Sequence, residues 1–107
     1  MSGGIAFKSG ESWIAATWVF SSIMDFAREY ISKKLYPNLY SVTTWEENPI
    51  HFILIEELSK DEERIFYDSL KKGFEDAVKN DGEGFADRTY YLNFIERYKE
   101  LLEMLPS

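Results

Sequence analysis

The stretch LYSVTTWEENPIHFILI, residues 39–55, decides the fold class of this chain. Its first part, 39–45, alternates and is rich in Val, Thr and aromatic residues, while 50–55 is a six-residue apolar run with three isoleucines. The intervening Glu46-Glu47-Asn48-Pro49 is turn material, so the natural reading is a β-hairpin with a four-residue loop. The rival is a short helix opened by Asn48 as N-cap with Pro49 in its first turn. Over six residues, periodicity does not separate a buried strand from a buried helix, and length and β-branching favour the strand. The stretch therefore predicts a helix-rich α+β domain. An all-α four-helix domain is the alternative.

Pairing Trp45 with Ile50 would put Thr43, Trp45, Ile50, Phe52 and Leu54 on one face. Tyr40, Val42, His51, Ile53 and Ile55 would form the other. Both faces are largely apolar, so both need cover, and one could be left for a partner. A lone hairpin is rarely stable, which makes Ile5-Ala6-Phe7 a candidate edge strand.

Outward from this stretch the chain reads as helical. From about Glu11 to Lys34, Trp13, Ala16, Phe20, Ile23, Ala27 and Tyr30 recur at steps of three and four, one stripe of a long helix widened by Trp18, Val19, Met24 and Phe26. Pro37 would stop it. A second helix follows Ser59, where Glu62 stands at the capping-box spacing and acids fill the first turn. Its stripe is Phe66, Leu70, Phe74 and Ala77, and the segment 80–84, NDGEG, ends it. The last helix, about Ala86 to Leu105, carries Tyr91, Phe94, Ile95, Tyr98, Leu101, Leu102 and Leu105.

The totals bound what such a domain does. At 107 residues, with 45% hydrophobic and 17% aromatic content, the chain reads as one domain spanning 1–107 with a core of its own. It has no cysteine, which excludes disulfides and thiolate chemistry and fits a reducing compartment. The start lacks the basic and apolar regions of a signal peptide, and the uncharged run Ser12–Met24 is too short to span a bilayer. The expected location is the cytoplasm, with no membrane partner. The net charge of −7 disfavours direct nucleic-acid binding and favours association with basic partners.

Catalytic and metal-binding patterns are not found. His51 is the sole histidine, with no G-x-S-x-G nucleophile to serve and no second His or Cys to share a metal. The acids around Gly82 and Gly84 fail the calcium-loop register, because Lys79 or Ala77 falls at its first position. Neighbouring glutamates point in different directions and make no acid–base dyad, and no phosphate-cradling glycine pattern is present. The chain reads as a non-enzyme without metal or cofactor.

What remains is surface chemistry. Residues 46–63 hold seven carboxylates against one lysine, Lys60, a local balance of −6. Tyr36, Tyr40 and Trp45 lie just before this segment, and such aromatics are enriched at interfaces. The candidate partner-binding residues are Tyr36, Tyr40, Trp45, Glu46, Glu47, Glu56, Glu57 and Asp61. In size and charge alone the profile resembles that of bacterial immunity proteins. The expectation is a small acidic module that neutralises a basic partner such as a toxin nuclease. The alternative is a regulatory adaptor or homodimer.

Overall fold

The computed structural model describes residues 2–106. Strand β1 (Ser2–Ala6) turns through residues 7–11 into β2 (Ser12–Ala16), which runs directly into helix α1 (Thr17–Arg28). A short helix α2 (Pro37–Val42) follows, then strand β3 (Phe52–Leu54) and a single 3-10 turn (Ile55–Glu57). Helices α3 (Lys60–Asn80) and α4 (Arg88–Met104) complete the chain. The protein is α+β and helix-rich. No helix among the described residues is long and apolar enough to cross a membrane.

The sheet order is β2-β1-β3, with β1 antiparallel to β2 and parallel to β3. Ile5 stands opposite both Trp13 and Ile53, so these three buried side chains form one row across the inner face. Successive strand residues point to opposite faces, which leaves Ile14 and Leu54 on the outer side, both exposed. The glycines of β1 allow close packing. A Cβ at Gly3 would come within 2.8 Å of two Phe20 side-chain atoms, so α1 lies almost directly on the strand there. Helix α3 packs on α1, and α4 packs on α3 and reaches β2, where the Trp13 indole donates to the Arg97 carbonyl at 3.2 Å.

The first expected helix is corrected in its extent. Residues 12–16 are a strand, because Trp13 and Ala15 point inward and Ile14 and Ala16 outward. The steps Trp13–Ala16–Phe20 mimic a helical stripe across the junction of two elements. Beyond Arg28 the chain runs in turns, and Tyr30, expected on the buried stripe, is exposed while its neighbour Ile31 is buried. The expected edge strand near Ile5 is the central strand instead.

The expected hairpin is also corrected. Residues 37–42 form a helix with Pro37 in its first turn, where a fixed φ and a missing N–H cost nothing. The hydroxyls of Ser41, Thr43 and Thr44 each donate to a carbonyl three or four residues back, a local solution that removes the need for a strand ladder. Residues 52–54 are a strand as expected, but their partner is β1. His51 reverses the chain into β3 with φ +56, in the left-handed region, while its carbonyl accepts from Gly4 N–H at 2.8 Å. Asn48 is not a helix cap. Its side-chain amide donates to the Val42 carbonyl at 2.9 Å and to the Phe52 carbonyl at 3.0 Å, tying the end of α2 to β3.

The two C-terminal helices follow their sequence signals. Ser59 and Glu62 form the reciprocal capping box, and Asp81 in the left-handed region ends α3. Asp87 caps α4 by accepting from Tyr90 N–H at 3.0 Å. Phe66, Leu70, Ala77, Phe94, Tyr98 and Leu101 are fully buried where these two helices pack on each other and on α1. Each large apolar side chain so buried stabilises the fold by about 1.5–3 kcal/mol.

Candidate protein-binding groove

The tie made by Asn48 holds open a groove of about 460 Å3 between α2, β3 and the start of α3. Its apolar lining comes from Val42, Phe52, Ile53, Leu54 and Leu58, with Ile50 at 74% exposure. Three carboxylates, Glu47, Glu57 and Glu62, and two amides, Asn38 and Asn48, complete it. No lysine or arginine lines this groove. Glu62 accepts from the Ser59 backbone N–H at 2.8 Å, which fixes one carboxylate oxygen. Glu47 and Glu57 form no ion pair among the described residues.

Chain geometry brings these groups together. The left-handed turn at His51 lays the strand back beside α2, and the 3-10 turn then swings Glu57 over the same groove. An apolar floor rimmed by like charges suits a ligand that is partly hydrophobic and positively charged.

Of the residues expected at an interface, Glu47 and Glu57 meet in this groove. Trp45 and Glu46 are exposed on the adjoining segment, and Glu56 is exposed on the 3-10 turn. Asp61 is exposed in the first turn of α3 and pairs with Arg64 at 3.5 Å. Tyr36 and Tyr40 are half-buried against the core rather than presented on a turn, and the Lys33 ammonium covers the Tyr40 ring at 5.6 Å. Glu62, Val42 and Ile50 went unrecognised as site residues. Glu62 read as a cap, which it also is, and Val42 was assigned to a strand.

The exposed hairpin face does not exist in the expected form. His51 and Ile55 are buried in the core and present nothing to a second molecule, and Ile53, also buried, reaches only the floor of the groove. Val42 and Leu54, from opposite faces of that hairpin, instead line one groove.

His51 lines a small pocket of about 50 Å3 together with Ser21, Asp25, Arg28, Thr43 and Trp45. Arg28 is engaged there already: its Nε donates to Thr43 Oγ1 at 3.1 Å and Nη1 to Asp25 at 2.9 Å. Neither imidazole nitrogen has a hydrogen-bond partner in the protein. A general base needs an acceptor or donor that orients it, and no side chain does so here. Among the described residues no three His, Asp or Glu side chains converge as metal ligands would.

The chain matches no family model, and no curated protein or solved structure is significantly similar to it.

Proposed function

We propose that this chain is a small acidic protein-binding module that docks a basic partner and neutralises it, in the manner of an immunity-type inhibitor of a toxin nuclease. The observation that carries the reading is the groove of residues 38–62, where three carboxylates rim an apolar floor and no cation answers them. A nuclease surface that holds phosphates is itself positive, and an acidic cover complements it. The aromatic Trp45, 59% exposed two residues before Glu47 in the chain, supplies the kind of anchor that interfaces favour. The net charge of −7 argues against a second copy in the same groove, because two such surfaces repel.

The role needs no catalytic group of its own. Blocking a partner's site requires only a complementary surface held rigidly, and short ties such as that of Asn48 provide rigidity. A cysteine-free chain is at home in the cytoplasm, and we place the protein there as part of the same proposal.

The test is recovery of the bound protein from the source cells, followed by assay of that protein's activity with and without an equimolar amount of this chain. The expected partner is basic and loses its activity at one-to-one stoichiometry. A partner that binds yet stays fully active would replace inhibition by an adaptor role.

A further inference from the structure

A second groove lies between α1 and the α3–α4 connection. It encloses about 570 Å3, and none of its lining residues is shared with the groove of residues 38–62. Trp18 and Tyr90 form one wall, their rings edge to face at 5.7 Å, and both are exposed. Phe26 and Phe85 line the same groove, and Asp25 and Glu83 bring carboxylates to it. Asp25 and Phe26 continue into an adjoining groove of about 500 Å3, which adds Glu29 and Asp76 and a single cation, Lys79.

The chemistry of this surface is specific. Aromatic rings beside carboxylates attract a planar cation, which stacks on the ring and pairs with the acid at once. Asp25 of this groove is already paired with Arg28 at 2.9 Å, whereas Arg88 binds Asp81 at 2.8 Å while stacking on Tyr91, so the acid the groove leaves open is Glu83. Glu29 and Glu83 form no ion pair among the described residues. A second copy of this chain is a poor occupant, since it would bring net negative charge to carboxylates.

We propose that the groove walled by Trp18 and Tyr90 is a second docking point that receives an arginine side chain of the basic partner. The proposal rests on the reading of the chain as a binder of basic proteins, and it adds a contact on a separate surface. The guanidinium lies against the Trp18 indole and pairs with Glu83. Two spaced contacts for one partner raise affinity beyond either alone.

The experiment is a heteronuclear NMR titration of the full chain with the capped peptide Gly-Arg-Gly-Arg-Gly and with its citrulline counterpart, which keeps shape but lacks charge. The expected result is a saturable shift of the Trp18 indole N–H and of the Glu83 and Tyr90 amides with the arginine peptide only. Trp18→Ala and Glu83→Gln should each weaken that binding about two- to five-fold. Shifts confined to Glu47, Ile50 and Glu57 would overturn the second docking point and leave the acidic-groove reading standing. No shift at either groove would overturn both. Shifts at Trp18 that depend on protein concentration without peptide would assign the groove to a second copy and overturn the proposal.

Discussion

The Trp45 indole packs against the His51 imidazole with ring centroids 4.3 Å apart and planes tilted by 55°, and Phe20 meets the same imidazole edge-on at 5.9 Å. His51 is thereby held at φ +56, where its carbonyl caps the Gly4 N–H and the chain reverses into β3. This one residue sets the direction in which β3 enters the sheet, and with it the wall of the acidic groove.

The backbone at His51 has a direct consequence for substitution. Glycine adopts positive φ without penalty, whereas alanine is strained there by about 1 kcal/mol. Both lose the imidazole's packing against Trp45 and Phe20. We therefore expect His51→Gly to be more stable than His51→Ala by about 1 kcal/mol, measured by urea denaturation. The opposite order would contradict the left-handed turn.

Gly73 in the middle of α3 is a second sharp case. Helix propensity alone would make Gly73→Ala stabilising by about 1 kcal/mol. A Cβ there, however, would lie 2.6 Å from the Tyr98 hydroxyl, 2.9 Å from the Ala27 nitrogen and 3.0 Å from the Phe26 carbonyl carbon. Two of those atoms are backbone, so α1 and α3 must separate, and such overpacking costs about 1–3 kcal/mol. The larger effect wins, and a lowered denaturation midpoint is expected. A raised midpoint would mean that α1 and α3 are further apart.

Tyr98 makes stability fall in alkali. Burial, reinforced by the negative charge of Asp76, pushes its phenol well above the ordinary tyrosine range, and its hydroxyl donates to the Leu70 carbonyl at 2.6 Å. Below about pH 10 both folded and unfolded chains keep the proton, and the stabilisation is fully present. Above it the unfolded chain releases the proton while the folded one holds it, so stability drops as pH rises. Tyr98→Phe should make the decline shallower by up to about 1.4 kcal/mol per pH unit. Tyr67 is shifted the same way by burial and by Glu63, so some decline persists in the variant. Parallel slopes in urea midpoints across this range would count against the buried phenol.

What could be read in advance was what local chemistry dictates. Ser59 with Glu62, the stripe through Phe66 and Leu70, and the stripe through Phe94 and Tyr98 each specify a helix within one segment. Strand β1 was legible only at Ile5 and Ala6, and as an edge, because Gly3 and Gly4 signal a loop, whereas their role is to admit Phe20 and to lie against the Trp13 backbone. Strand β2 was hidden because Trp13, Ala16 and Phe20 keep helical steps across its junction with α1. Helix α2 was misread because Thr43 and Thr44, strand-formers by propensity, satisfy their hydroxyls locally.

The same division holds for the sites. The acids at Glu47 and Glu57 were visible as a charged segment, yet their meeting with Glu62 around Val42 depends on the tie from Asn48 and the turn at His51. The groove at Trp18 was invisible, because a tryptophan on a helical stripe reads as core until α4 is seen to place Tyr90 beside it.

The proposed function rests on the carboxylates of the groove, Glu47 and Glu57 above all, meeting a basic partner. The most direct measurement is the association rate constant of the native partner with the wild-type chain and with the Glu47→Lys/Glu57→Lys variant, from about 20 to 500 mM salt, where screening grows from weak to nearly complete. At low salt the variant is expected to associate about ten-fold more slowly or worse, and the two rates to converge as salt rises. Equal rates at low salt would contradict the proposed function.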